Sequence, residues 1–322
     1  MLDAGKPFFE RRTLMQSLTI IVPCLNEEGC IVPFYEEVTK TLAQKDVAYR
    51  MLFVDDGSQD GTLREIKRLC GHDNRVGYVS FSRNFGKEAA MKAGLERVDT
   101  DLAVFMDADL QHPPRLLPRM LEVLHEENVH LVGAQRKGRN DQSKSRQRLS
   151  NLYTRLSRRL LHDLDPAGAT DYRVMDRLVI QALQRCPEAD RYTKGLWMYA
   201  GFPTKWIPYE NIERKAGTTK WNLSHLFGYA LSAHLSTTAF WSCALTGCGL
   251  LFTLLTVAAI LWLVLDFSKT ALVLVVLCVL ADLQYALMAL MAILLCKTNM
   301  EVKHRPLYVV QEASSAKNAA FK

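Results

Sequence analysis

No two of the eight cysteines, at positions 24, 30, 70, 186, 243, 248, 278 and 296, stand in a Cys-x-x-Cys spacing. The usual zinc and thiol-redox motifs are therefore excluded, and the scatter suits reduced packing cysteines of a cytoplasmic protein rather than a disulfide frame. Residues 1–16 lack an apolar core segment and carry Asp3, Glu10, Arg11 and Arg12, so they read as an N-terminal extension and not a signal peptide. The glycines around Lys87 have the wrong spacing for a P-loop. Between Arg136 and Arg159 the only acid is Asp141, and from Ala239 to Leu265 the only polar side chains are Ser, Thr and Cys. No nucleic-acid motif accompanies the basic stretch, which argues against a nucleic-acid partner.

What is present divides the 322 residues in two. Residues 239–265 and 271–295 are each longer than the ~20 apolar residues that cross a bilayer as a helix, and only 266–270 separate them. They predict a transmembrane hairpin. Lys297, Lys303, His304 and Arg305 follow it, whereas its connecting loop offers Lys269 against Asp266. The positive-inside rule therefore places the soluble part and a tail of residues 296–322 on the cytoplasmic face of a cell membrane.

In the soluble part, residues 17–23, 49–55, 76–82, 101–107 and 130–134 are short β-rich runs. Helix-like stretches fall at 30–44, 62–70, 86–97 and 115–126. Alternation of this kind predicts an α/β domain with a largely parallel sheet, whose ligands bind at the carboxyl ends of the strands. Polar clusters fall there: "PCLNEE", "DDGSQDGT", "RNFGKEA" and "DADLQHPP".

The last cluster poses the sharpest question, because alternation points Asp107 and Asp109 the same way at the end of an apolar strand. Two such carboxylates repel unless a positive charge lies beside them, and a divalent cation bridging them to a diphosphate would supply it. In the second cluster Asp55 and Asp56 could accept from a base imide or a ribose hydroxyl, while Asp60 reads equally as a helix cap. Lys87 falls in the first turn of a helix, where the dipole disfavours a cation, which hints that it faces a phosphate. Arg214 and Lys220 lie in a Gly/Thr loop ahead of the apolar spans and suit the stabilisation of a diphosphate leaving group or contact with anionic lipid. Asp171 either orients a substrate hydroxyl or caps a helix beginning near Met175.

After Ala134 the α/β rhythm stops. Near 145–162 Leu149, Leu152, Tyr153, Leu156, Leu160 and Leu161 share one face of a basic amphipathic helix, which fits either an anionic membrane surface or the domain itself. Residues 222–238 read as a second, juxtamembrane helix.

Taken in order, "IIVPCLNEE", "VDDGSQDGT", "SRNFGKEAAMKAGL", "DADLQHPP", "DYRVMDR", "KGLWMYAGF", "ERKAGTTKWN" and "EVKHRPLY" resemble the polyprenyl-phosphate glycosyltransferases of glycosyltransferase family 2, over about residues 17–310. The resemblance implies a GT-A fold (Rossmann-like, largely parallel sheet) over 17–221, with interfacial and transmembrane helices after it. It also implies Mg²⁺ or Mn²⁺ and inverting transfer of one sugar to a polyprenyl phosphate. Carried over residue by residue, it places Pro23, Leu25, Asn26, Glu27, Asp56, Lys87, Asp107, Ala108 and Gln111 at the nucleotide sugar. Asp107, Asp109 and Gln111 would hold the metal, with Asp109, Asp171, Arg214 and Lys220 at the reacting centre. Arg136, Arg148 and Ser150 would receive the lipid phosphate.

The implied partners are UDP-glucose, undecaprenyl phosphate, the bilayer and further copies in a homo-tetramer. UDP-linked aminoarabinose or a mannose donor are the alternatives, and a sugar-nucleotide sensor or scaffold is the non-enzymatic one. A processive synthase is disfavoured, because no Gln-x-x-Arg-Trp segment is found. Two departures stand out: His112 replaces a frequent acid, and the second span carries Asp282 and Gln284 where relatives carry Gly-Glu-Tyr.

Overall fold

The computed structural model describes residues 17–43, 45, 47–137, 166, 168–188, 193–210 and 301–314, with selected positions between 273 and 298. Its first half follows the expected alternation. Strands β1 (Ser17–Cys24), β2 (Ala48–Asp55), β3 (Val76–Phe81) and β4 (Leu102–Phe105) run parallel in the order β3-β2-β1-β4. Helices α1 (Glu28–Leu42), α2 (Thr62–His72) and α3 (Lys87–Leu95) connect them, and α4 (Leu117–Glu126) follows a short 3₁₀ turn at Pro114–Leu116.

β1 is apolar on both faces because both are covered, as a parallel sheet requires. Leu18, Ile20 and Val22 join a core with Phe34 of α1, Ile66 of α2 and Met120 of α4. Ile21, between them in sequence, belongs to a second core with Ala89, Ala90, Met91 and Ala93 of α3. The small residues of α3 let it lie close to the sheet. A Cβ on Gly94 would come within 2.2 Å of the Ile21 Cγ2.

The second half departs from the expectation that the rhythm ends at Ala134. β5 (Leu131–Lys137), β6 (Ala169–Asp176) and β7 (Thr204–Glu210) extend the sheet beyond β4, with α5 (Arg177–Gln184) and α6 (Thr193–Ala200) covering the second core. β6 is antiparallel to both β4 and β5. The helix expected near Met175 starts instead at Arg177. Its cap is Asp176, whose carboxylate accepts from the N–H groups of Leu178 and Val179 at 3.0 and 3.1 Å. Asp171 is therefore not a cap.

β8 (Val310–Ala313) comes from the stretch read as a tail and pairs antiparallel with β3 at the other edge. Just before it, Tyr308 stacks on Phe81 at 4.8 Å. The described positions between 273 and 298 are helical, with Val273, Leu277, Met291 and Leu295 exposed. Among the described residues no helix is long and apolar enough to cross a membrane. The span predicted over 239–265 and the helices at 145–162 and 222–238 lie outside them, as does most of 271–295, Asp282 included.

Candidate active site

The loops after β1, β2 and β3 are tied to one another by their own polar side chains. Asn26, in the left-handed region at φ 52°, accepts from the Gln59 N–H at 2.8 Å, and its own N–H donates to the Ser58 Oγ at 2.9 Å. The Glu27 N–H donates to the Thr62 Oγ1 at 2.8 Å. Asp60 accepts from the Thr62 N–H at 3.0 Å and the Glu28 N–H at 3.3 Å, but the cap of α2 is the next residue, Gly61, so Asp60 is not the helix cap it was read as.

Asp55 and Asp56 are both buried. Asp55 accepts from the Ser80 hydroxyl at 2.8 Å and the Ser58 N–H at 3.2 Å. Asp56 accepts from the N–H groups of Phe85 and Gly86 at 2.6 and 2.9 Å, so it holds the loop that leads into α3. Burial pushes the Asp56 carboxyl up, and these two donors oppose the shift. Gly57 makes the approach possible: its φ is 69°, and a Cβ there would sit 2.4 Å from the Arg83 carbonyl carbon.

At the end of β4 the arrangement differs. β4 and β6 pair with Leu102 opposite Asp176 and Val104 opposite Val174, which brings the chain just past β4, with Asp107, near the Asp171 end of β6. Two carboxylates brought close in this way repel. Lys87, from the first turn of α3, lies between them: its Nζ is 2.8 Å from Asp107 Oδ1 and 3.1 Å from Asp171 Oδ2. The cation expected beside Asp107 is thus partly the protein's own. Lys87 faces two carboxylates, which offset its unfavourable place on the helix dipole.

Burial opposes each charge in this cluster, and mutual attraction outweighs it. Lys87 is held well above the ordinary lysine range by Asp107 and Asp171. Asp107 is held below the ordinary carboxylate range chiefly by Lys87, and Asp171 well below it by Lys87 and then Lys194. Lys194, in α6, approaches Asp171 Oδ1 at 3.8 Å. His112 is buried and stacked on Tyr172, and burial lowers its pKa, which favours the uncharged imidazole, against the nearby carboxylates. Its Nδ1 accepts the Asp107 N–H at 3.2 Å, which leaves the ring proton on Nε2.

Ala108 and Asp109 are buried, and Leu110 adopts φ 60° to turn the chain. That turn lets Asp109 Oδ1 accept from the Gln111 N–H at 3.0 Å. Asp107 and Asp109 are hard oxygen donors at one strand end, as a divalent cation that also binds phosphates requires. Among the described residues no group of three or more His, Cys, Asp or Glu side chains forms a protein-only cage.

Pro23 and Leu25 lie half-buried at the end of β1. Arg136, at the far end of β5, donates its N–H to the Gly168 carbonyl at 2.8 Å and its Nε to the Tyr209 hydroxyl at 3.5 Å. Arg148, Ser150, Arg214 and Lys220 lie outside the described residues.

Residues 19–183 match glycosyl transferase family 2. The chain belongs to this family. Among its family 2 relatives, the CsbB protein of Bacillus subtilis is 40% identical over 219 residues, 68% of this chain and 66% of that one. The bactoprenol glucosyl transferase of Shigella phage SfX is 31% identical over 223 residues, covering 69% of this chain and 73% of that protein. The prophage bactoprenol glucosyl transferase homolog of Escherichia coli K12 is 29% identical over 301 residues, 91% of this chain and 98% of that one. In architecture the chain is similar to glucosyl-3-phosphoglycerate synthase from Mycobacterium tuberculosis, crystallised with Mn²⁺, UDP-glucose and phosphoglyceric acid. The TM-score is 0.51 at 21% identity, covering 67% of this chain and 76% of that one. The likeness establishes the GT-A fold.

For this family 2 enzyme the sequence reading brought Lys87, Asp107, Asp109 and Asp171 forward, and the fold gathers Lys87, Asp107 and Asp171 in one ion-paired cluster. It did not single out Glu88, Lys194 or Thr193. The only signal for the last two was their place in or beside "KGLWMYAGF", which names no chemistry.

Proposed function

We propose that the protein transfers one sugar, glucose from UDP-glucose, to undecaprenyl phosphate at the cytoplasmic face of a membrane, with inversion and with Mg²⁺ or Mn²⁺, for modification of cell-envelope polysaccharide. One observation carries the reading. The two carboxylates gathered by Lys87 are held ionised well below the pKa that suits a general base, and the nearby His112 is buried with its Nδ1 already accepting a hydrogen bond. Such a site suits an acceptor that needs no deprotonation. A phosphate monoester, with its second pKa near ~6, is already largely dianionic at neutral pH. Similarity to proteins named bactoprenol glucosyl transferases supports the same acceptor class.

In this reading Asp107, Asp109 and Gln111 hold the metal, whose chemistry is to neutralise the charge developing on the leaving diphosphate. Lys87 adds positive charge on the same side. The loops after β1 and β2 receive the nucleoside, with Asp56 keeping the path into α3 in place. Asp171 orients the sugar, and Arg136, Arg148 and Ser150 gather the lipid phosphate while Arg214 and Lys220 meet the diphosphate. Positioning and electrostatics then provide most of the rate.

The test is a transfer assay with undecaprenyl phosphate and Mn²⁺ or Mg²⁺, comparing radiolabelled UDP-glucose with other nucleotide sugars. Label is expected in lipid from UDP-glucose and not from Asp109→Ala. Lipid labelled only by another donor would replace glucose. No labelled lipid from any donor would sink the acceptor assignment.

A further inference from the structure

Adjacent residues at the start of α3 and of α6 form a closed ring of contacts around Asp171. On α3, Lys87 reaches Asp171 while Glu88 turns to the other side. The Glu88 Oε2 accepts from the Thr193 N–H at 3.0 Å and from the Thr193 hydroxyl, capping the first turn of α6 from 105 positions away. The next residue of α6, Lys194, returns to Asp171 at 3.8 Å. One turn further on, Trp197 lies under the guanidinium of Arg173, two residues along β6 from Asp171, at 3.8 Å. Thr193 is buried and Glu88 half-buried.

Apolar contact already anchors α6, since Leu196 and Trp197 are buried in the second core. That packing would tolerate small rotations of the helix. A carboxylate bonded to the first N–H of α6 would not, because hydrogen bonds are directional and the helix dipole favours the anion at that end. A partly buried carboxylate is also an expensive anchor where an apolar side chain would serve.

We propose that Glu88 is a positioning residue of the transfer site. By fixing the start of α6 it keeps Lys194 on Asp171, so that two lysines share the neutralisation of Asp171 and Lys87 remains available to Asp107. The kinetic part rests on the glycosyl-transfer reading above; the structural part does not.

The experiment uses the full chain in detergent and the variants Glu88→Ala, Glu88→Gln, Lys194→Ala and Glu88→Ala/Lys194→Ala. Brief acetylation with acetic anhydride, read by mass spectrometry, reports the exposure of the Lys194 amine without any turnover. Labelling of Lys194 is expected to rise several-fold in Glu88→Ala and to stay near wild type in Glu88→Gln, whose amide oxygen still accepts from Thr193. In the transfer assay Glu88→Ala and Lys194→Ala are each expected to lose about 10- to 100-fold in kcat with little change in the donor KM, as a small misplacement at a reacting centre does. The double variant is expected to lose no more than either single one, because the first residue acts through the second. Unchanged Lys194 labelling in Glu88→Ala, or losses that multiply in the double variant, would overturn the proposal. A wild-type protein that labels no lipid would refute the transfer reading instead, and the acetylation would still decide whether Glu88 holds Lys194.

Discussion

Two strand ends of the same sheet carry paired acids, and the fold uses them in opposite ways. At the end of β2, Asp55 and Asp56 are buried and, among the described residues, receive uncharged donors: two serine groups on one, two backbone N–H groups on the other. Just past the end of β4, Asp107 keeps part of its surface and shares Lys87 with Asp171 of β6. Burial raises Asp56, whereas Lys87 holds Asp107 down in spite of burial. Neutral donors fix a carboxylate as part of the framework. A lysine shared between two carboxylates instead leaves charges for which a bound metal or diphosphate would compete.

The comparison breaks most visibly at β4. Lys87→Met is expected to lower transfer ~100-fold or more, the scale of losing one pre-organised charge at a reacting centre, while the far-ultraviolet circular dichroism stays native. A variant near wild-type activity would return Asp107 to the framework class. At β2 the larger effect should be on folding. Asp56→Ala strands two backbone N–H groups and should cost ~2–4 kcal/mol in urea unfolding, about 1–3 kcal/mol for each buried donor with partial recovery by water. Gly57→Ala tests the same loop through its backbone. With φ at 69° and the Arg83 carbonyl carbon in the way, a loss of ~1–3 kcal/mol is expected, with weaker donor binding as α3 shifts.

The pH dependence sharpens the contrast with a smaller effect. Asp107 and Asp171 have folded pKa values below their unfolded ones of ~3.9, and Lys87 has one above its unfolded ~10.4. The cluster's stabilisation is therefore complete between those two unfolded values. It is lost in acid as pH falls through the depressed carboxylate values, and in alkali as pH rises through the raised lysine value. The urea midpoints of wild type and Lys87→Met should differ most between pH ~6 and ~9 and converge as acid protonates the carboxylates. A gap that widened toward acid would contradict the ion-paired cluster. Smallest of all, Lys67→Ala removes the exposed pair with Glu312 of β8 and should change stability by less than ~1 kcal/mol.

The parallel half of the fold was legible because local signals carried it. Alternation, apolar runs and turn residues all repeat within 30 residues or so, and each strand end announced itself by its polar cluster. The antiparallel half was not. β6 enters between β4 and β5 by a non-local pairing that leaves no mark in "GATDYRVMDR", and β8 is supplied from beyond residue 300. The reading of Lys87 shows the same limit. Its awkward place on a helix dipole signalled a negative partner, but a phosphate and a carboxylate are equivalent in that respect, and Asp171 lies 84 positions away.

By itself, then, the sequence determined the family, the GT-A half-sheet and the acids that gather at its carboxyl edge, because those depend on periodicity and on ordered motifs. Only the tertiary structure decided which carboxylates meet neutral donors and which meet a lysine. That choice depends on the partner each oxygen meets, and the partners of Asp107 and Asp171 are delivered by the β4–β6 register, α3 and α6 rather than by neighbours in the chain.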